Sequence, residues 1–256
     1  MRIGLLTGLA AEAKAIGRAD NITIETSAAN RARAEARLQG LLEQGAEVLG
    51  SVGVAGGLHP GHAPGTILIA RRVIAWEGAL PNVKRKPVLK SAGQLIAASA
   101  RPAGEQAQAL TTTRPMWGAD AEWVARIETA LGPKVATADF LGLDQPVAEP
   151  GQKLALMEET GAEAADMESH IVARIAADAV VPWFAVRVVA DPSNRRVPPA
   201  ALAALGAEGD VSVARVLCAL CRRPIDLPDL ISLGADTAAA MRSLRRVGRK
   251  LREAVA

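Results

Sequence analysis

Short apolar runs rich in Val, Ile and Leu recur along this chain, and most give way to stretches whose apolar residues fall at helical spacing. A two-residue period and a 3.6-residue period bury different faces, so their alternation calls for a mostly parallel sheet wrapped by helices. The predicted strands are RIGLLTGL, ITIET, EVLGSVGVA, GTILIARRVI, KVATADFL, EAADM and WFAVRVVA. The predicted helices cover about 28–44, 119–131, 150–160, 167–179, 208–222 and 226–253. The opening MRIGLLTGLAAEAKAI lacks the charged, long apolar and cleavage regions of a signal peptide and is read as a first strand. The expected class is therefore α/β, with one domain over 1–256 and residues 206–256 as a C-terminal helical extension.

Composition supports one large core, since half of the 256 residues are hydrophobic. Only 2% are aromatic, with no Tyr and only Phe140 and Phe184 as phenylalanines, so the core must rest on Ala, Leu, Val and Ile. No apolar run approaches the ~20 residues that span a bilayer. The two cysteines, Cys218 and Cys221, form a C-x-x-C in VLCALCRR. A structural zinc site wants about four ligands and a redox motif wants a strand–helix setting. Here the surroundings read as helical, and His59, His62 and His170 lie far off in sequence, so no metal is expected. With no targeting segment, the expected compartment is the cytoplasm. Residues 77–117, which include Lys84, Arg85, Lys86 and Lys90, are less regular and read as a flap or an oligomer contact.

GSVGVAGGLHPG (50–61) follows an apolar strand and is dense in glycine, so it reads as a turn whose backbone N–H groups approach a ligand closely. It is neither a dinucleotide fingerprint nor a phosphate loop of the G-x-x-x-x-G-K type. A tight crossover explains it equally well. Further along, AADMESH (164–170) places Asp166 and Glu168 around Met167 at the start of a predicted helix. Acids in a first turn favour the positive end of a helix, which explains their position without a function.

Four stretches in order, IGLLTGLAAEAKAI, GVAGGLHPGHAPGTILIA, AADMESHIVARIA and VRVVADPS, resemble the nucleoside phosphorylase and nucleosidase superfamily. DMESH together with VVADPS and VPPAALAAL, and the tail RVLCALCRRPIDLPDLISLGADTAAA, are similar to its hopanoid-associated branch. The likeness to that branch implies release of adenine from adenosylhopane. The resemblance implies a purine nucleoside substrate, no cofactor apart from phosphate as a co-substrate in the phosphorylases, and a homo-oligomer.

Cleaving an N-glycosidic bond leaves positive charge on the ribose and negative charge on the purine, so a proton donor at the base and stabilisation around the sugar are needed. Through the resemblance, Asp191 matches the general acid that protonates the base at N7, and Arg187 an arginine that helps hold the site. By the two-residue period Arg187 lies on the same strand face as Asp191. Glu168 matches the residue that grips the ribose hydroxyls, Met167 the one that packs on the sugar, and Phe140 an aromatic stacked on the base. Asp166 replaces the more usual Glu beside the methionine and is assigned a structural role. Gly8 and Gly56 are further substrate-binding candidates, each offering backbone at close range. In the turn where phosphorylases hold phosphate with an arginine stands Glu12, a carboxylate that repels phosphate and can activate water. Val54 departs from the serine of the nucleosidases. Water is favoured, and an arginine from a neighbouring subunit, or Arg71 or Arg72, would be the cation to rescue a phosphate site.

MRSLRRVGRKLREAVA (241–256) carries six cations and one acid, against a net charge of +3 for the whole chain. Met241, Leu244, Val247, Leu251 and Val255 form an apolar stripe along it. Two readings follow: a helix lying on the anionic inner face of a membrane, or one docked on the core with its cations in water. Charge this local, without a recognition motif, does not point to nucleic acid.

Overall fold

The computed structural model describes residues 1–82, 114–203 and 224–255. The first alternations form β1 (Ile3–Thr7), α1 (Ala10–Ile16), β2 (Ile22–Thr26), α2 (Arg31–Glu43), β3 (Val48–Gly57) and β4 (Ile67–Ala75). After them come β5 (Met116–Gly118), α3 (Ala121–Leu131), β6 (Val135–Gly142), α4 (Pro150–Thr160), β7 (Ala164–Asp166), α5 (Ser169–Ala179) and β8 (Trp183–Asp191). A short α6 (Pro199–Ala203), a 3-10 turn (Pro224–Asp226) and the long α7 (Leu227–Val255) complete the described elements. The predicted helix at 208–222 with Cys218 and Cys221, and the cations Lys84, Arg85, Lys86 and Lys90, lie outside the described residues.

Two expectations are corrected here. The opening stretch is not one strand: β1 ends at Thr7, and the alanine-rich AAEAKAI, a good helix former, becomes α1. The glycine-rich run is not a turn up to Gly57; its residues 50–57 are the last eight of the ten in β3, which extends the predicted strand EVLGSVGVA by two residues, and the chain turns only after it. Its glycines serve close approach, because a Cβ on Gly50 would lie 2.6 Å from the Phe184 ring. β5 and α6 had no counterpart in the sequence pattern.

The sheet is mixed and largely parallel. β1 pairs parallel with β2 and β3, and β3 parallel with β8. β8 runs antiparallel to β4, β4 parallel to β6, β6 parallel to β7, and β7 antiparallel to β3. The strands β3, β8, β4, β6 and β7 therefore close into a ring. β1, β2, β3 and β8 run in one direction; β1 and β2 end level with Val52, while β3 and β8 run on to Gly57 and Asp191, and this is the end at which open α/β sheets bind ligands.

Both faces are covered. Leu38 and Leu41 of α2 and Ile171, Val172 and Ile175 of α5 pack with Leu6, Ala185 and Val189 on one side. Ile16 of α1, Trp123 and Ile127 of α3, and Leu244, Val247 and Leu251 of α7 pack with Phe184, Val186 and Val188 on the other. Strand alternation thus sends successive residues of β8 to opposite cores.

The basic C-terminal segment is docked. Leu244, Val247 and Leu251 are buried, and Met241 and Val255 pack at the edge of the same cluster. A Cβ on Gly248 would lie 2.5 Å from Ile16 Cα, so α7 crosses α1 in near-backbone contact. Arg252 donates to the Ile16 carbonyl, and Asn21 Nδ2 donates to the Val255 carbonyl at 2.6 Å. Of the two readings, the structure has the apolar stripe on the core, with Arg242, Arg245 and Arg249 in solvent. Among the described residues no helix is long and apolar enough to cross a membrane.

Candidate functional site

At the shared strand ends lies a cavity of about 230 Å3, lined by Gly8, Glu12, Val54, Gly56, Lys153, Asp166, Met167, Glu168 and Asp191 among others. It brings together residues from the β1–α1 turn, α1, β3, α4, β7, the β7–α5 turn and β8, which are scattered over most of the chain. Of the residues expected from the sequence, Gly8, Glu12, Gly56, Met167, Glu168 and Asp191 all face it.

Arg187 does not line it. The guanidinium is fully buried beneath the acids, where Nη2 donates to Asp166 Oδ1 at 2.9 Å, Ser51 Oγ at 2.6 Å and Glu168 Oε2 at 3.4 Å. Burial alone would lower its pKa, but Asp166 and Glu168 hold the charge in place and raise it. Asp166 Oδ1 also accepts the N–H groups of Glu168 and Ser169 at 2.8 and 2.7 Å, so it braces the entrance of α5. Burial penalises its charge, yet Arg187 and those amides keep its carboxyl below the ordinary range.

Glu168 has fewer partners. Its Oε1 accepts the Ser27 hydroxyl at 3.0 Å, while Asp166 and Glu12 add like charge nearby. Burial, with those two acids against Arg187, pushes its pKa up to about 7. Glu12 is gripped by amides: Oε2 accepts Leu9 N–H at 2.8 Å and Oε1 accepts Val54 N–H at 2.7 Å. Burial raises its pKa, and these bonds with the Arg187 charge oppose the rise. The Val54 departure therefore costs nothing at Glu12, since it is the backbone of residue 54 that makes the bond. A Cβ on Gly53 would sit 2.8 Å from Glu12 Oε1 and 3.0 Å from Arg187 Nη1, so glycine there lets the two groups approach the strand.

Asp191 stands at the other end of the cavity, 2.7 Å from Lys153 Nζ. Burial raises its pKa and the lysine opposes that rise. A register shift in the β3–β8 pairing at Ala55/Gly56 sets Asp191 opposite Gly56, whose Cβ would lie 3.1 Å from Asp191 Oδ2.

One expectation fails. Phe140 is fully buried in the core with Val172, Ile175 and Val189 and does not reach the cavity. Its strand position turns it toward α5, while Leu141 and Leu143 belong to the cluster on the cavity side with Leu58 and Val147. The described lining contains no aromatic residue; Leu58, Leu143, Pro146, Val147, Val197 and Leu202 supply its apolar surface. Arg71 and Arg72 are also elsewhere, both bonded to Asp139 at 2.9 Å. Among the described residues the only cation lining the cavity is Lys153.

Sequence reading missed Lys153 and Ser27. Ser27 precedes Ala28 and Ala29, both in the left-handed region at φ 55° and 52°, and Ala29 lines the cavity. Non-glycine residues rarely sit there, which marks the loop as held by its surroundings. No local pattern announces either residue.

His59, His62 and Glu163 also converge, with candidate ligand atoms within 4.8 Å of one another. However, His59 Nδ1 accepts the Gly61 N–H at 3.0 Å, which places the proton of a neutral ring on Nε2. Burial and the neighbouring His62 hold its pKa down, so the ring is neutral and offers a hydrogen rather than a lone pair at Nε2. His62 Nε2 is 2.6 Å from Glu163 Oε2. The group forms a hydrogen-bonded corner, and a metal would have to displace the Gly61 contact.

The family model described as the phosphorylase superfamily matches residues 2–221, and the chain belongs to that superfamily. Among solved structures, the 5′-methylthioadenosine/S-adenosylhomocysteine nucleosidase of Helicobacter pylori aligns over 100% of this chain and 97% of its own, at 16% identity and a TM-score of 0.65. The futalosine hydrolase of Helicobacter pylori aligns with the same coverage, identity and TM-score. The Campylobacter jejuni 5′-methylthioadenosine/S-adenosylhomocysteine nucleosidase covers 99% of each chain at 16% identity and a TM-score of 0.61. At this identity the likeness is one of fold. A search of curated proteins gives no match.

Proposed function

We propose that this protein is a nucleosidase that hydrolyses the N-glycosidic bond of a 5′-substituted adenosine and releases adenine. One observation carries the reading: Glu12, Glu168 and Asp191 line one small cavity, each in a different electrostatic setting. In this reading Asp191, with its pKa raised by burial, holds the proton that passes to N7 as the C1′–N9 electrons move onto the purine. Glu168 accepts the ribose hydroxyls and Met167 packs on the sugar. Glu12, fixed by two amides, keeps free lone pairs on both oxygens to orient water and take its proton. Phosphate has no described arginine to receive it and would meet three carboxylates, so water is the nucleophile. No cofactor is needed for these steps.

For the 5′ group we propose an apolar substituent, on the strength of Leu58, Leu143, Val147, Val197 and Leu202. Adenosylhopane is the favoured substrate, through the sequence resemblance. Its ring system exceeds a cavity of this size and would emerge past the exposed Gln145 and Pro146. The same size favours a second reading, in which methylthioadenosine or adenosylhomocysteine fills the site. A homo-oligomer in the cytoplasm belongs to the same proposal, as does the protein meeting its lipid substrate at the inner face of the membrane through the solvent-facing cations of α7.

The deciding assay supplies adenosylhopane and methylthioadenosine in parallel, with and without phosphate, and identifies adenine and the sugar product. We expect adenine and a free ribosyl product from adenosylhopane in phosphate-free buffer. Release from methylthioadenosine alone selects the second reading. Tight binding of both without turnover would make the protein a nucleoside binder.

A further inference from the structure

Lys153 is fully buried, and burying an ammonium is costly unless it is paired and hydrogen-bonded. Its Nζ donates to Asp191 Oδ2 at 2.7 Å and to three carbonyls of one turn: Asp191 at 3.2 Å, Pro192 at 3.0 Å and Arg195 at 3.0 Å. A single side chain from α4 thus ties down the segment that follows β8 and occupies one oxygen of Asp191, leaving the other for the cavity. Nothing in the proposed reaction uses this lysine directly.

Resting on the nucleosidase reading, we propose that Lys153 is a positioning residue that sets the acid strength of Asp191. Before reaction, Asp191 carries a proton. When that proton passes to N7, the carboxylate left behind faces an ammonium 2.7 Å away, so the lysine stabilises the state after transfer more than the state before it. Burial without the lysine would leave a carboxyl that holds its proton too tightly to give it up.

The other charges around Asp191 do not substitute. Asp236 of α7 disfavours the Asp191 charge and is itself paired with Arg195 at 2.9 Å. Across the cavity Glu12, Asp166 and Glu168 are negative when ionised, and Arg187 is engaged with the last two.

The test uses adenine release from whichever nucleoside the full-length enzyme turns over, followed as kcat/KM against pH. Activity falls on the alkaline side as Asp191 loses its proton. In Lys153→Gln, which keeps a donor for the turn carbonyls but no charge, that alkaline limb should move up by about one pH unit or more. The plateau kcat should drop about tenfold, as expected for a weaker general acid. Lys153→Met should show the same shift. An unchanged limb in Lys153→Gln, with any loss confined to KM or to stability, overturns the proposal. Should neither variant fold, the conservative Lys153→Arg decides: a retained plateau kcat and alkaline limb support the role of the charge, and a folded Lys153→Arg that loses both overturns it. Near-normal turnover by Asp191→Asn would overturn the acid assignment and the lysine proposal together. A dead Asp191→Asn with an unchanged limb in Lys153→Gln would overturn the lysine proposal alone.

Discussion

Arg187 and Asp166 form an ion pair at 2.9 Å in which neither side chain is more than 1% exposed. The pair lies directly under the candidate site, and through Asp166 the guanidinium charge steadies the entrance of α5 that presents Glu168.

Arg187→Met should therefore be severely destabilising, although it inserts an apolar side chain of similar length. It strands Asp166, Glu168 and Glu12 in a buried site without their counter-charge, and breaking a buried pair costs about 3–5 kcal/mol. Urea unfolding at neutral pH checks this. A loss below roughly 1 kcal/mol would mean that the acids take up protons and do without the arginine.

The stability of the protein should also carry the signature of Glu168. Its folded pKa of about 7 lies above the ordinary 4.5, so its contribution is fully present below pH 4.5 and is lost as pH rises through 7. Asp166 acts oppositely, with a depressed pKa whose contribution is lost only in acid. Glu168→Gln cannot ionise and should gain stability over the wild type by about 3 kcal/mol between pH 4.5 and 8. Unfolding both proteins at the two pH values measures that difference. A difference independent of pH would show that the folded and unfolded chains hold this proton equally, so that burial does not raise the Glu168 pKa.

Glu12→Ala should lower adenine release in phosphate-free buffer about 10²-fold or more, the scale on which a general base acts. Added phosphate should stimulate neither wild type nor variant. Strict phosphate dependence of the wild type, with a sugar 1-phosphate as product, would remove water activation from the role of Glu12.

Gly248→Ala tests the docking of α7 away from the site. The new Cβ would meet Ile16 Cα and carbonyl oxygen at 2.5 Å, and backbone cannot yield as a side-chain tip can. A loss of about 1–3 kcal/mol is expected, as for other overpacked cores. Unchanged thermal stability would mean that α7 contributes little to the fold.

What the sequence determined by itself is the local layer. β1 through β4 and most helices follow from hydrophobic period and helix-forming composition, because those signals act over a few residues. The acid–Met–acid stretch and the strand ending in Asp191 stood out through the family resemblance, as short motifs at the ends of elements; local signals alone left helix capping as the explanation of the acids. Phe140 shows the limit: the resemblance put it at the base, but which face of β6 it occupies depends on pairing with β4 and β7, and that parity puts it under α5. Ser27 and Lys153 show it more sharply. Ser27 comes to Glu168 across 141 residues and Lys153 to Asp191 across 38, along chain paths that no local pattern encodes. The sheet order β2–β1–β3–β7 carries Ser27 to Glu168, and the packing of α4 beside the end of β8 carries Lys153 to Asp191. Burial there then decides which carboxyls keep a proton, because the cost of a charge depends on everything packed around it.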